Sequence, residues 1–374
     1  MERAPCRLGT LVVLALLMAL PAGEIRAQAT DFARIVDSTR RATRMPAIAA
    51  AIVTRDSVLA YEAVGVRRSG DASAVTRDDR FHIGSNTKAM TAGLVGLLVD
   101  EGRLAWTTTL AELFPERAAR MRPEYRDVTV LDLLTHHSGL VRDASGDFGQ
   151  GSGRERRERF VGWVLTRRPE SPRGTLAYSN ANYILAGAIV ERLTGESYER
   201  LVVRRLLAPL GLKDVRFGPP RAAGQLDQPS GHVAGAFGRW RADASEQPSP
   251  LYAPAGDMNL PIGDWAVWAQ ALLRAASGGP SPWKPETIAA LLTPPVPADS
   301  MAMGWLVLSR PWAGPGGRLL VHTGTNRLNF SIAILAPEAG FGILAMTNHG
   351  GAEGEAAVSG LANRLRAGYT SRMK

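Results

Sequence analysis

The spacing of apolar residues divides the chain into strand-like ends and a helix-like middle. After a short amphipathic stretch at 32–41, two β-prone apolar runs occupy residues 48–53 and 58–66. The polar tetrapeptide Thr54-Arg55-Asp56-Ser57 separates them, and this pattern predicts a β-hairpin.

Helical spacing dominates the middle of the chain. The predicted helices cover residues 86–101, 130–135, 157–166, 182–194, 198–207 and 264–275. Between residues 218 and 256 no period is present and Pro, Gly, Ser and Gln dominate. This composition predicts a long surface segment on the body of the protein and not an independent domain.

Strand signals return near the end of the chain. They cover residues 303–308, 318–322, 330–336 and 341–347, and a final helix is predicted over 353–366. The order implies an α+β fold, in which both chain ends build one antiparallel sheet flanked by helices and a mostly helical lobe is inserted. We predict a single catalytic domain over 30–374, with an α/β lobe at 30–80 and 300–374 and a helical lobe at 81–299. The active site is expected in the cleft between the lobes.

The first 29 residues are typical of a cleaved secretion signal. Arg3 and Arg7 precede the apolar run 11–20, and the segment ends on the small residues of Ala27-Gln28-Ala29. The run is about half of the ~20 residues that a spanning helix needs, so no permanent membrane anchor is predicted. We therefore expect an exported protein, periplasmic or secreted.

Composition excludes several function classes. The 374 residues are 45% hydrophobic and 21% charged, enough for a large core. The net charge of +9 comes mainly from arginines spread among 35 acidic residues, which does not indicate nucleic-acid binding. The lone cysteine, Cys6, excludes internal disulfides and thiolate zinc sites.

One short motif combines a nucleophile with a basic group. Ser85 and Lys88 stand three residues apart at the start of the predicted 86–101 helix, so that the ammonium can reach the hydroxyl. A serine cap with a solvated lysine is the simpler alternative. Only four lysines occur in the chain, and this makes a chance match less probable.

Two further triplets follow. Tyr178-Ser179-Asn180 precedes the predicted 182–194 helix, and His322-Thr323-Gly324 ends a predicted strand. Near an ammonium the ionised form of the Tyr178 phenol would be favoured, which makes it a candidate proton acceptor. Glycine at 324 would let a substrate approach the backbone closely.

Together these triplets resemble the serine penicillin-recognising family, which includes β-lactamases, DD-peptidases and related esterases. The Tyr-Ser-Asn and His-Thr-Gly versions look like class C β-lactamases and related DD-carboxypeptidases. The resemblance implies Ser85 as nucleophile, with Lys88 and Tyr178 as the proton-transfer pair. It also implies substrate contacts by Asn180, His322, Thr323 and Gly324, and an oxyanion hole made by the backbone N–H groups of Ser85 and Thr325.

Departures from the family pattern bear on the substrate. Class C β-lactamases that attack cephalosporins usually carry lysine where His322 stands, and a neutral histidine would hold a carboxylate less strongly. Asp257 follows Gly256 where many relatives repeat glycine. The expected activity is hydrolysis of a D-alanyl peptide or an ester through an acyl-enzyme, ranked above a class C-like β-lactamase.

Other function classes remain as alternatives. A non-catalytic penicillin-type binding or sensor protein would keep the pocket but lose acyl release. Adjacent His136 and His137 lack a carboxylate at ligand spacing, so we predict no metal and no cofactor. The expected partner is a small-molecule or peptide substrate, and the sequence predicts no particular oligomeric state.

Overall fold

The computed structural model describes residues 22–221, 225–235, 240–243 and 250–372. Residues 1–21 of the expected secretion signal and parts of the expected 218–256 surface segment lie outside this range. The helices are Ala22–Thr43 (α1), Thr87–Asp100 (α2), Leu110–Leu113 (α3), Val130–Leu134 (α4), Gly153–Val164 (α5), Asn180–Thr194 (α6), Tyr198–Val202 (α7), Ala253–Gly256 (α8), Ile262–Ala276 (α9), Pro285–Leu292 (α10) and Ala352–Arg372 (α11). The strands are Ala47–Thr54 (β1), Val58–Gly65 (β2), Arg80–His82 (β3), Arg216–Phe217 (β4), His232–Ala234 (β5), Trp240–Ala242 (β6), Met258–Pro261 (β7), Met301–Ala302 (β8), Trp305–Ser309 (β9), Arg318–Thr325 (β10), Phe330–Ala336 (β11) and Phe341–Thr347 (β12).

Both ends of the chain build one antiparallel sheet, as the sequence predicts. Its seven strands run in the order β2-β1-β12-β11-β10-β9-β8. Strand β1 joins the two chain ends because Ile48 pairs with Thr347 and Thr54 pairs with Phe341. The predicted α+β fold is confirmed, while the boundaries proposed for the two lobes stay a prediction.

The sheet is covered on both faces, and the alternation of β1 explains why. Ile48 and Ala50 belong to the core beneath α1 and α11, whereas Ala49 and Ala51 belong to the larger core shared with α9 and the helical part. Successive residues of a strand point to opposite faces, so an entirely apolar strand fits a sheet that is buried on both sides. Helix α11 presents Val358, Leu361 and Leu365 at helical spacing to the smaller core.

Helix α2 runs through the centre of the larger core. Every residue from Thr87 to Leu98 is buried. The indole of Trp283 donates a hydrogen bond to the carbonyl of Gly93, at 2.7 Å. A helix held on all sides is a rigid support for the residues at its N-terminal end.

Two predicted elements need correction. Residues 303–308 were expected to form one strand, but Gly304 turns the chain there with φ of +81° and separates β8 from β9. The predicted 198–207 helix is α-helical only over Tyr198–Val202 and continues as one π-helical turn, Val203–Leu207. The small sheet β3-β7-β4 and helix α10 were not predicted.

Within the described ranges, no helix is both long enough and apolar enough to cross a membrane.

Candidate active site

Ser85 lies in a short 3₁₀ turn, Gly84–Asn86, that leads into α2. The hydroxyl of Thr87 donates to the carbonyl of Gly84 at 2.7 Å and closes the turn. Asn86 Nδ2 donates to the hydroxyl of Ser331, which donates to the carbonyl of Ile83 at 2.7 Å. These bonds fasten the turn to β11, so half-buried Ser85 is held at a fixed place beside the sheet.

Lys88 reaches Ser85, as the spacing predicts. Its side chain is fully buried, and Nζ lies 3.0 Å from Ser85 Oγ. The same nitrogen lies 2.8 Å from Asn180 Oδ1 and 2.6 Å from the carbonyl oxygen of Ala255. Burial lowers the pKa of Lys88 to about 7, although the Asp143 carboxylate opposes this. About half of the amine is therefore unprotonated at pH 7 and can accept a proton from Ser85.

Tyr178 lies close to the same pair, but its phenol is not ionised. Lys88 Nζ is 4.9 Å from the centre of the Tyr178 ring. Burial raises the pKa of Tyr178 to about 12, and this outweighs a hydrogen bond with Ser85 that lowers it. Burial thus outweighs the expected effect of the neighbouring ammonium and keeps the phenol neutral. The catalytic roles expected for Tyr178 and Lys88 stay predictions.

Asn180 is the first residue of α6 and connects the base to the rim of the cleft. The hydroxyl of Ser179 caps this helix by accepting from the N–H of Asn182. Asn180 Oδ1 accepts from Lys88, and its Nδ2 donates to Asp143 Oδ1 at 2.9 Å. The oxygen and the nitrogen of the Asn180 amide thus both form hydrogen bonds within the protein, and any substrate contact would be additional.

His322 lies on β10 and is uncharged. Its Nδ1 donates to the carbonyl of Gly304 at 2.6 Å. Burial, with the nearby Lys88, lowers the pKa of His322 to about 4. Lacking a charge at neutral pH, this side chain cannot form an ion pair with a carboxylate. The next residue, Thr323, is exposed.

The end of β10 lies against the turn that holds Ser85. A Cβ added to Gly324 would lie 2.0 Å from the carbonyl oxygen of Ile83 and 2.8 Å from the Ser85 nitrogen. A Cβ on Gly84 would lie 2.4 Å from the Thr325 nitrogen. Glycine at 324 therefore serves contact between two parts of the backbone, and the two expected oxyanion-hole residues, Ser85 and Thr325, are neighbours.

Ser85 opens on a cleft of about 860 Å³. Side chains that the sequence did not single out for the site line it, among them Asp143, Asp243, Tyr252 and Arg327. They lie in segments without hydrophobic periodicity. Only the three-dimensional contacts bring them together, and no local motif marks them.

The adjacent histidines His136 and His137 contact other side chains of the protein. His136 stacks on Tyr178 with ring centres 4.4 Å apart, and His137 hydrogen-bonds with Asp299 at 2.8 Å. The described ranges contain no group of three or more His, Cys, Asp or Glu residues arranged to hold a metal. In the glycine-containing loop 146–153, Phe148 is buried against Phe160, with ring centres 5.5 Å apart.

A profile of the family described as Beta-lactamase matches residues 25–367. The chain belongs to the β-lactamase family. Relatives in this family are serine hydrolases and include DD-carboxypeptidases.

Comparison with individual proteins gives more distant similarities. The chain is 37% identical to penicillin-binding protein 4 of Amycolatopsis lactamdurans over 177 residues, which cover 47% of this chain and 46% of that protein. It is 29% identical to an unguisins hydrolase of Aspergillus violaceofuscus over 261 residues, which cover 65% of this chain and 45% of the relative. The matches thus span about half the length of these two relatives.

Solved structures agree on the fold. A class C β-lactamase from Rhodobacter sphaeroides superposes with a TM-score of 0.70 at 20% identity. The match covers 89% of this chain and 98% of that one.

Proposed function

We propose that this protein is an exported serine hydrolase that cleaves a D-alanyl peptide or an ester through an acyl-enzyme. The 3.0 Å contact between Lys88 Nζ and Ser85 Oγ carries the proposal, because it joins a nucleophile to a base whose pKa is about 7. Export is inferred from the composition of residues 1–29.

Acylation follows from the positions of three side chains. Ser85 Oγ attacks the acyl carbonyl while unprotonated Lys88 takes its proton. The backbone N–H groups of Ser85 and Thr325 stabilise the oxyanion. The bond to the leaving group then breaks, and the leaving amine or alcohol takes a proton from Lys88, with the neutral Tyr178 phenol close enough to donate a hydrogen bond.

Deacylation uses the same groups in the reverse sense. Water attacks the acyl carbonyl and gives a proton to Lys88. The bond to Ser85 Oγ breaks, Ser85 recovers its proton, and the acid product leaves. Base catalysis of this kind contributes about 10²- to 10⁴-fold.

The electrostatics of β10 favour an ester without a carboxylate over a β-lactam that carries one. Because His322 is uncharged, the site lacks at this position the fixed cation that lysine supplies in relatives that attack cephalosporins. A substrate that does not need a cation at position 322 to bind its carboxylate is expected to react faster than nitrocefin.

A panel of three substrates tests the proposal. Mature protein is assayed with a p-nitrophenyl ester, a D-alanyl-D-alanine peptide and the β-lactam nitrocefin, with Ser85→Ala as the control. We expect kcat/KM for the ester or peptide to exceed that for nitrocefin, and Ser85→Ala to be inactive. Preference for nitrocefin would instead indicate a β-lactamase. Stable labelling by a fluorescent penicillin without turnover of any substrate would indicate a binding protein.

A further inference from the structure

We propose that Asp143 is a positioning residue that acts through Asn180 to hold Lys88 in line with Ser85. This inference rests on the proposed function, because it assigns a role to Asp143 in the same reaction. Asp143 itself is exposed at the rim of the cleft and does not need to touch the reacting atoms.

A continuous chain of hydrogen bonds leads from the rim to the nucleophile. Asn180 Nδ2 donates to Asp143 Oδ1 at 2.9 Å, and Asn180 Oδ1 accepts from Lys88 Nζ at 2.8 Å. Lys88 Nζ in turn lies 3.0 Å from Ser85 Oγ. A carboxylate can only accept a hydrogen bond, so Asp143 orients the amide with its NH₂ group outward and its oxygen toward Lys88.

Two hydrogen bonds to main-chain carbonyls place Asp143 beside Asn180. The N–H of Asn180 donates to the carbonyl of Arg142 at 2.8 Å, and the hydroxyl of Ser179 donates to the carbonyl of Val141 at 2.7 Å. The segment before Asp143 is thereby fastened to the start of α6. Tyr252 adds a longer hydrogen bond from its hydroxyl to Asp143 Oδ1, at 3.4 Å.

Asp143 also acts on the charge of Lys88. Its negative charge favours the ammonium and so opposes the burial that lowers the pKa of Lys88. The titratable groups that face Lys88 are supplied by several elements: His136, Asp143, Tyr178, Tyr183 and His322. His136 and His322 have lowered pKa values, and the pKa values of Tyr178 and Tyr183 are raised, mainly by burial in each case. All four are therefore uncharged near pH 7, which makes Asp143 the charged member of this set.

Titration of Lys88 tests the inference without relying on activity. The chain has only four lysines, so labelling lysine with ¹³C at Cε gives a simple NMR spectrum, and Lys88→Arg identifies the Lys88 signal. In Asp143→Asn we expect the midpoint of Lys88 to fall by about half to one pH unit relative to wild type. Asp147→Asn is the matched control: Asp147 is exposed in the same segment, and its carboxylate accepts from the N–H of Gly149.

Kinetic measurements distinguish the effect of the Asp143 charge from the effect of its hydrogen bond with Asn180. The amide oxygen of an asparagine at 143 can still accept from Asn180, so Asp143→Asn should move the acidic limb of kcat/KM to lower pH and keep the plateau within about threefold. Asp143→Ala removes the acceptor as well and should lower the plateau roughly tenfold, the effect of about one hydrogen bond to a charged group.

The outcomes distinguish the inference from the function on which it rests. An unchanged plateau in Asp143→Ala would overturn the positioning role, and equal Lys88 midpoints in Asp143→Asn and Asp147→Asn would overturn the effect of the Asp143 charge on Lys88. Absence of turnover by wild type would count against the proposed function, and the NMR midpoints would still decide whether Asp143 acts on Lys88.

Discussion

The pH dependence of catalysis follows from the burial of Lys88. With Lys88 as the proposed base, the unprotonated amine is the active form, and the pKa of Lys88 is about 7. Two pH units below that value, only about 1% of the amine is unprotonated. The rate at pH 5 should therefore be roughly a hundredfold below the plateau, with a slope near tenfold per pH unit.

His322 and Tyr178 should not alter the fall in rate below pH 7. His322 has a pKa of about 4 and Tyr178 one of about 12, so neither changes charge between pH 5 and 9. The profile should rise through pH 7 and stay flat above about pH 8. If an ionised Tyr178 were the base instead, kcat/KM would still be rising at pH 9.

The assay is kcat/KM for a p-nitrophenyl ester from pH 5 to 9, with the rate of Ser85→Ala subtracted to remove spontaneous hydrolysis. Because kcat/KM reports the free enzyme, its midpoint is compared directly with the pKa of Lys88. A profile that is flat from pH 5 to 7, or that falls above pH 7, would refute the assignment of Lys88 as base.

Two substitutions test the packing and the charge of the β10 strand. Gly324→Ala places a methyl group against the Ile83 carbonyl and should cost about 1–3 kcal/mol of unfolding free energy together with most of the activity, as measured by urea unfolding and ester hydrolysis. Its control, Gly360→Ala, lies in α11 with open space around the added methyl and should stabilise the protein by about 0.5–1 kcal/mol; equal effects of the two would contradict the contact. His322→Lys restores a cation and should raise kcat/KM for nitrocefin by roughly tenfold relative to the ester. A change of the same size for both substrates would show that the charge at 322 does not select between them.

Local patterns predict most of the sheet because its strands are long and almost entirely apolar. The observed β11 and β12 have the predicted bounds, β1 is one residue longer than predicted at each end, and β2 is one residue shorter at its C-terminal end. Short elements depend on distant partners. Strand β3 pairs with β7, about 180 residues away, and three-residue strands carry too little pattern to be recognised.

The reactive triplets are visible in the sequence, but their protonation states are not. Spacing alone places Lys88 near Ser85, and the structure brings Tyr178, Asn180 and His322 to the same site. Burial lowers the pKa of Lys88 and raises that of Tyr178, and burial is a property of the whole fold. The sequence does not predict a role for Asp143, because its contact with Asn180 depends on how the segment 141–143 packs against the start of α6.

Ser85 is expected to become acylated during turnover, with Lys88 as its base. The most direct test is mass spectrometry of the protein quenched during turnover of a slow ester or penicillin, followed by peptide mapping. We expect one acyl group on Ser85, none in Ser85→Ala, and acylation at least about a hundredfold slower in Lys88→Met. An adduct on another residue, or turnover that persists in Ser85→Ala, would contradict the account.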